Sequence, residues 1–328
     1  MHKHSMQKNQ TCSYRLAIVG AARRRQGTGA FLAYHFAQLG HPPCAVVGRT
    51  LDSARKAADS LAAQLSKPVA AYASIEQLFE QETIDILVIA SPVQTHWHCL
   101  ETAAQQTCHV FCEKPLWWPA QAMPGDVLYQ KTQVLIEQLT AGKRKLYLNM
   151  QWPFTLETYR RLYPSVAQEP QAIKELAMRL SPASRGVDML VDAAPHLLSM
   201  LYALLGDGTI EHVRCRQQGD KHCDLSFSYH HAVSQTAVHL TMEQCPEQPR
   251  PAAYAINKQW ARRCVKLDPY SLALAHDSQT IPMPDPLMQS LTYFLSNLEA
   301  QSEDWGAGNP NTLLRSMQHL HQLVSAYE

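Results

Sequence analysis

The sequence predicts an α/β protein with two domains: a doubly wound parallel sheet, then an α+β domain built on a largely antiparallel, open-faced sheet. Three observations predict this. Short apolar runs alternate with helical segments up to residue 150, and alternating apolar and polar stretches dominate afterwards. The chain also has 328 residues, more than the roughly 150 residues of a typical domain. We therefore expect a disordered tail over 1–13, one domain over 14–150 and a second over 151–328.

The first half reads as strands and helices in turn. Strands are predicted at residues 14–20, 44–48, 69–72, 84–90, 109–112 and 145–149, and the main helices at 29–39, 52–65, 96–105 and 127–140. Parallel strands joined by helices need right-handed crossovers, and these favour a Rossmann-type strand order.

The second half is predicted to begin its main helix at Pro195. Strands follow at residues 212–218, 224–231, 234–242, 254–267 and 272–276, and residues 286–328 are helical again. Residues 234–242 alternate only weakly, which predicts an apolar outer face on the open sheet. We therefore expect a homodimer or homotetramer that associates through this sheet.

Composition and charge exclude several classes of protein. Lysine and arginine total 29 against 28 acidic residues, so the basic excess expected of a nucleic-acid partner is missing. The sequence has no apolar run of 20 residues, so no membrane partner is expected. The polar N-terminus does not resemble a secretory signal. Nine cysteines without a CxxC pair are typical of a reducing compartment, so we expect a cytoplasmic protein.

The segment between the first strand and the first helix is a degenerate glycine-rich loop, GAARRRQGTG. Gly20 stands where the chain must turn tightly, and Ala22 replaces a second glycine. Backbone N–H groups at the following helix N-terminus would bind a pyrophosphate. The expected coenzyme contacts of this loop are Gly20, Ala22, Arg24, Gly27, Thr28 and Gly29. The alternative is an ordinary glycine-containing turn of another α/β protein.

The second strand ends in Gly48-Arg49-Thr50, without the acidic residue that takes the ribose 2′-hydroxyl of NAD. A guanidinium at Arg49 suits a 2′-phosphate instead, and Thr50 lies beside it. NADP is therefore the expected coenzyme, with NAD possible. An ordinary surface arginine is the alternative interpretation.

Three motifs follow along the chain: Ser-Pro-x-x-x-His over 91–96, Glu-Lys-Pro over 113–115, and Asp-x-x-x-His over 192–196 after Gly186. Together they resemble the Gfo/Idh/MocA family of glucose–fructose oxidoreductases and inositol dehydrogenases. The resemblance implies NAD(P)-dependent oxidation or reduction of a sugar, a polyol or a related carbonyl compound. It also implies a cis peptide bond before Pro115.

The resemblance also implies roles for individual residues. Lys114, Asp192 and His196 match the family's catalytic groups, and the coenzyme contacts of the nicotinamide half would be Ser91, Pro92, His96, Glu113 and Lys114. A histidine suits proton transfer in both directions because it titrates near neutrality. Pro195 is expected in a first helical turn, where the helix dipole would keep His196 neutral while Asp192 orients its ring. A capping Asp192 and a buried structural His196 are the alternative.

Other features leave alternatives open. Trp117, Trp118 and Trp152 predict an aromatic site lining, which argues against a sugar phosphate. The histidines and cysteines of residues 96–112 do not share a face, so no metal site is expected. A reductase of C=N bonds and a non-catalytic coenzyme-binding regulator remain alternative functions on the same fold.

Overall fold

A computed structural model describes residues 13–22, 27–166, 169–232, 234–300 and 308–327. The tail predicted for 1–13 lies outside these residues except for Ser13, and so does Arg24 of the glycine-rich loop. By packing, the described residues form two compact units, one of residues up to 91 with 106–109 and one of 92–105 with those from 110 onward. The domain boundary expected near residue 150 stays a prediction.

The first sheet has six parallel strands. Its elements, in chain order, are β1 (Leu16–Val19), α1 (Gly29–Gln38), β2 (Pro43–Val47), α2 (Leu51–Leu65), β3 (Ala70–Tyr72), α3 (Ile75–Gln81), β4 (Ile86–Ile89), α4 (His96–Ala104), β5 (His109–Cys112), α5 (Gly125–Thr140) and β6 (Leu146–Leu148). The strand order β3-β2-β1-β4-β5-β6 confirms the predicted Rossmann arrangement. Strands β1 and β4 are buried throughout because both faces of such a sheet are covered, which is why they read as continuous apolar runs.

The second sheet has eight strands. The remaining elements are α6 (Leu156–Leu162), β7 (Glu175–Leu180), α7 (Val187–Leu205), β8 (Gly208–Gln217), β9 (His222–His231), β10 (Ser234–Glu243), β11 (Ala252–Ile256), β12 (Gln259–Leu267), β13 (Tyr270–His276), β14 (Gln279–Met283), α8 (Pro286–Ala300) and α9 (Pro310–Ser325). The strands of this sheet follow the order β14-β13-β12-β11-β7-β10-β9-β8. The sheet is antiparallel except between β7 and β10, which confirms the predicted fold class.

Two details of this sheet differ from the sequence prediction. The single strand expected over 254–267 is a hairpin, because Asn257 and Lys258 both adopt positive φ angles, 48° and 69°, and turn the chain between β11 and β12. Strands β7 and β14 were missed because both are short and carry little alternation.

The expected apolar outer face is wrong for β10. Every second residue of this strand is buried, and its outer face carries Gln235, Ala237, His239 and Glu243. The buried side supplies Val238 and Leu240, which join the core beneath the sheet. The homodimer or homotetramer stays a prediction, but weak alternation in β10 no longer supports it.

Helix α7 is the central helix of the second unit. It begins at Val187 rather than at Pro195 and carries the proline inside it. By length and composition it could cross a membrane, but 67% of its most apolar stretch is buried, as in a core helix. It belongs to the same apolar core as the inner faces of β9 and β10.

Candidate active site

The site is assembled around Lys114, which follows the end of β5. Its ammonium Nζ donates to the Asp192 carboxylate Oδ1 at 2.5 Å and to the Asp192 backbone carbonyl at 2.6 Å. The Lys114 side chain is largely buried, with 14% exposure, so the ion pair is partly shielded from water. The structure thus brings together two of the three predicted catalytic residues. The Lys114–Pro115 peptide is cis, as the resemblance implied.

His196 lies near the middle of α7, one turn after Asp192. The expectation that it stands at a helix N-terminus is therefore wrong. Proline has no N–H, so Pro195 leaves the Val191 carbonyl without its usual helical donor. The helix continues because its apolar surroundings hold it, with Pro195 itself buried. The helix dipole consequently has no role in keeping His196 neutral.

Burial replaces the dipole as the cause of neutrality. Burial of the ring lowers the pKa of His196 well below its usual range, and the positive charge of Lys114 lowers it further. The Asp192 carboxylate acts in the opposite direction but does not offset them. His196 is therefore an uncharged imidazole at neutral pH, able to accept a proton.

Asp192 is a carboxylate at neutral pH. Burial by itself would raise the pKa of Asp192, but the adjacent Lys114 ammonium outweighs this and lowers it. Among the described side chains, Asp192 makes its hydrogen bond to Lys114 and none to the His196 ring. Its position therefore corrects the expected role: Asp192 holds the lysine rather than orienting the histidine.

Sequence reasoning missed two arginines of this site. The ring of Trp152 lies edge-on to the His196 ring, with the centroids 6.2 Å apart. The Arg263 guanidinium lies over Trp152, 5.4 Å from the ring centroid. Its Nη2 donates to the backbone carbonyl of Arg250 at 3.0 Å.

The aromatic lining was predicted from Trp117, Trp118 and Trp152. Trp152 contacts the His196 ring, whereas Trp117 is buried and its indole N–H donates to the Thr132 hydroxyl at 3.0 Å. Nothing in the alternation of β12 points to a charged partner on the Trp152 ring.

His96 supports the segment that carries Lys114. It is 1% exposed, and its Nδ1 lies 3.0 Å from the Pro115 carbonyl and 3.1 Å from the Leu116 carbonyl. Two carbonyl oxygens can only accept, so Nδ1 carries the proton and donates. Its Nδ1 is also 3.6 Å from the Cys112 thiol at the end of β5. The contact with a nicotinamide ribose stays a prediction for this residue.

Glu113 is held on the other side of Lys114. Its Oε1 accepts a hydrogen bond from the Asn149 amide at 2.8 Å, and Asn149 in turn accepts one from the Ser290 hydroxyl at 2.8 Å. Asn149 is buried immediately after β6, and Ser290 is buried on α8. This chain of hydrogen bonds orders the backbone around the lysine.

The described ends of the glycine-rich loop, residues 20–22 and 27–29, lie in close contact with each other. Gly20 has a φ of 95°, and a Cβ on it would lie 2.6 Å from the Ser91 backbone nitrogen. A Cβ on Gly29 would lie 2.8 Å from the Gly20 carbonyl, so α1 begins in close contact with this turn. Ala22, Gly27 and Thr28 lie between them. These ends place the N-terminus of α1 beside the Gly20 turn, which is the position where dinucleotide-binding folds hold a pyrophosphate.

The end of β2 leaves Arg49 exposed. The neighbouring Thr50 caps α2, because its hydroxyl accepts from the Ser53 N–H at 3.2 Å. The next acidic residue in the sequence, Asp52, forms an ion pair with Lys56, with 2.7 Å between Oδ2 and Nζ. Arg49 is thus the charged group that directly follows this strand.

Ser91 and Pro92 follow β4. Ser91 is 8% exposed, whereas Pro92 is exposed and its carbonyl accepts from the Thr95 hydroxyl at 2.8 Å. Their contact with a coenzyme stays a prediction.

The N-terminal part of the chain matches a known protein family. Residues 14–135 match the family model GFO_IDH_MocA, described as an oxidoreductase family with an NAD-binding Rossmann fold. Residues 14–135 are therefore similar to the Rossmann domain of that family. The match includes the Ser-Pro-x-x-x-His and Glu-Lys-Pro motifs and confirms the predicted resemblance there, whereas the Asp-x-x-x-His motif lies beyond the matched residues. No curated protein matches the chain.

Solved structures share the fold over nearly the whole chain. A UDP-N-acetylglucosamine 3-dehydrogenase from Acidithiobacillus ferrooxidans has a TM-score of 0.68 at 16% identity, covering 96% of this chain and 98% of its own. An oxidoreductase from Thermotoga maritima has a TM-score of 0.66 at 16% identity, covering 96% and 97%. An Agrobacterium radiobacter oxidoreductase, solved with NAD⁺, L-tartaric acid and magnesium, has a TM-score of 0.63 at 14% identity, covering 96% and 95%. At these identities the likeness shows a shared fold alone.

Proposed function

We propose that this protein is an NAD(P)-dependent oxidoreductase that interconverts a hydroxyl and a carbonyl group on a small sugar, a polyol or a related carbonyl compound. The observation that carries the proposal is the Lys114–Asp192 ion pair beside a neutral, half-buried His196. A hydroxyl group must lose its proton during oxidation, and a neutral imidazole is suited to take it. The solved dehydrogenases that share the fold support the reaction class.

The residues divide the work between proton transfer and charge stabilisation. His196 accepts the hydroxyl proton in oxidation and returns it to the carbonyl oxygen in reduction. Lys114 faces the negative charge that develops on the substrate oxygen, and its ammonium stabilises that charge. Asp192 keeps the ammonium in place through its two hydrogen bonds. His96 and Glu113 order the backbone on either side of Lys114.

The fit of the glycine-rich loop supports coenzyme binding. The hydride itself is the chemistry that a bound nicotinamide coenzyme supplies. Gly20, Gly27 and Gly29, with Ala22 and Thr28, would hold its pyrophosphate. Arg49 would bind a 2′-phosphate, which favours NADP over NAD. Ser91, Pro92, His96, Glu113 and Lys114 are proposed to contact the nicotinamide half.

The test is coenzyme binding followed by turnover. Calorimetric titration with NADPH and NADH should show binding of at least one coenzyme, tighter for NADPH. A panel of aldoses, ketoses, polyols and sugar acids should then show substrate-dependent coenzyme turnover. Binding without turnover of any compound in the panel would favour a C=N reductase or a regulator, and absence of binding would overturn the proposal.

A further inference from the structure

Two arginines add positive charge beside the candidate catalytic residues. Arg263 on β12 lies against Trp152, whose ring contacts His196 edge-on, and Arg250 precedes β11. The Arg250 Nε donates to the Cys245 carbonyl at 3.0 Å, which fixes its guanidinium. Both charges act on the site. The low pKa of His196 is caused by burial, then by Lys114, and Arg263 lowers it further. Burial raises the pKa of Asp192, Lys114 lowers it, and Arg250 lowers it further.

The charges of this region do not balance. Asp192 offsets Lys114. Among the described residues, neither Arg250 nor Arg263 has an ion pair with a carboxylate, although other arginines of the chain do. Within the described part of the chain, these two guanidinium groups therefore have no carboxylate paired with them. A partly buried cation without a counter-ion is costly, so the arrangement favours binding of an anion.

The Nε of Arg263 points to the same conclusion. This N–H is buried and has no hydrogen-bond acceptor among the described residues, whereas Nη2 is satisfied by the Arg250 carbonyl. Buried donors in native proteins are normally paired. The unpaired Nε–H can donate to an oxygen of a carboxylate or a phosphate, groups that a guanidinium binds well.

We infer that Arg263, with Arg250 beside it, binds an anionic group, a carboxylate or a phosphate, carried by the sugar or polyol on which His196 and Lys114 act. This inference rests on the proposed function. It narrows the substrate class to acidic or phosphorylated sugars. It also revises the expectation that the aromatic lining argues against a phosphate, because the Trp152 ring carries a guanidinium on its face.

The experiment compares charged and neutral substrates of similar size. The kcat/KM values for a hexuronate, a hexose phosphate and a nucleoside-diphosphate sugar are measured against those for neutral hexoses. We expect at least a tenfold preference for one charged class, and the preferred class distinguishes a carboxylate from a phosphate. Arg263→Gln should reduce the charged-to-neutral ratio at least tenfold, and Arg263→Lys should restore part of it.

Arg262→Gln is the matched control. Arg262 is the preceding residue of β12, is exposed, and points to the opposite face of the sheet. The Arg262→Gln variant removes the same charge and should leave the charged-to-neutral ratio of kcat/KM unchanged. Equal kcat/KM for charged and neutral sugars, or an unchanged ratio in Arg263→Gln, would overturn the inference while leaving the proposed function intact.

A binding measurement distinguishes a failure of the proposed function from a failure of the anion subsite. If no sugar is turned over, the proposed function fails first. Calorimetric titration of the same hexuronate and hexose phosphate then tests the arginines directly. Binding to the wild-type chain that is lost in Arg263→Gln and retained in Arg262→Gln supports the anion subsite, and no binding of either anion refutes it.

A second, independent observation concerns the outer face of the second sheet. The chain bulges between Glu211 and Arg214 on β8, and His212 has a φ of 55° there. One ligand atom each of Glu211, His212 and His230 lies within 4.8 Å of the other two. The His230 Nε2 is 3.3 Å from a Glu211 carboxylate oxygen and has no hydrogen bond among the described residues.

We propose that these three side chains bind a divalent transition-metal ion of the zinc class. Two imidazoles and one carboxylate are preferred zinc donors, and water would complete a tetrahedron. Ligands bound at about 2.0–2.1 Å lie roughly 3.3 Å apart in a tetrahedral site, the separation that His230 and Glu211 already have.

Equilibrium dialysis against Zn²⁺ tests this site. His2 and His4 near the N-terminus are replaced by glutamine in every protein compared, so that they do not contribute. The background protein should bind one more Zn²⁺ than its His212→Ala and His230→Ala variants. His239→Ala, on the outer face of β10, is the control and should retain that ion. Equal stoichiometry in all four proteins would refute the site.

Discussion

Lys114 and Asp192 lie 78 positions apart in the sequence and are joined by two hydrogen bonds from one ammonium group, to a carboxylate oxygen and to the same residue's backbone carbonyl. The pair connects the segment after β5 to the middle of α7. It fixes the lysine at two points, so its charge has a defined position relative to His196 one helical turn away. The chemistry proposed for the site depends on this connection.

Replacing His196 should remove proton transfer. We expect His196→Ala to lower kcat by about 10²–10⁴, the usual contribution of a positioned general acid or base. NADPH affinity should remain nearly unchanged, since His196 is not among the expected coenzyme contacts. Single-turnover kinetics and coenzyme titration check both statements. A normal rate in a folded variant would leave only a structural role for His196.

The pH dependence follows from the lowered pKa of His196. Only the neutral imidazole accepts a proton, and burial followed by Lys114 moves the pKa well below 6.5. The oxidative rate should therefore stay constant as the pH falls through 6.5 and decline only in more acidic solution. A histidine with an ordinary pKa of about 6.5 would instead give a pH–rate profile with its midpoint near that value. A pH–rate profile with that midpoint would contradict the burial seen here.

Asp192→Asn tests whether the carboxylate holds the lysine. The amide can still accept one hydrogen bond, but the ion pair is lost, so we expect kcat to fall by roughly 10–100-fold. The acid limb of the pH profile should also move to lower pH, because the Asp192 charge normally raises the pKa of His196. Asp188→Asn, in the first turn of α7, is the control for a lost charge on the same helix.

Coenzyme preference depends on Arg49. A charge-assisted contact of about 1.5–3 kcal/mol corresponds to a ten- to hundredfold preference for NADPH. Arg49→Ala should reduce NADPH affinity by that factor and leave NADH affinity nearly unchanged. Lys67→Ala removes an exposed charge beyond the end of α2 and serves as the control. An equal loss for both coenzymes would mean that Arg49 does not contact the 2′-phosphate.

Acid stability should depend on His319 in α9. This residue is 4% exposed, and burial, followed by the charge of Arg315, lowers its pKa to about 4. The unfolded chain binds the proton near pH 6.5 and the folded chain only near 4, so stability is lost as the pH falls between these values. The loss is on the order of 3 kcal/mol.

His319→Gln should flatten this dependence. Glutamine can still accept the hydrogen bond that the Tyr202 hydroxyl makes to the His319 ring at 2.9 Å, but it does not titrate. Denaturant melts from pH 7 to pH 4 measure the change, and His98→Gln, an exposed histidine of α4, should leave the slope as it is. An unaltered slope in His319→Gln would show that other buried histidines dominate.

The sequence by itself determined the Rossmann half and the order of its strands, and it singled out Lys114, Asp192 and His196 as candidate catalytic residues. Those features depend on local apolar runs and on motifs within a few residues of each other. The helix around Pro195 could not be predicted in this way. Proline disfavours a helix interior locally, and the tertiary packing of α7 overrides that preference.

The tertiary structure alone decided the electrostatics of the site. Whether Asp192 meets Lys114 or His196 depends on the approach of β5 to α7, and whether His196 is neutral depends on its burial. The position of Arg263 over Trp152 joins β12 to the segment after β6, far away in the sequence. Pairings across such separations are set by how sheets and helices pack, because side chains at distant positions carry no local signal of their partners.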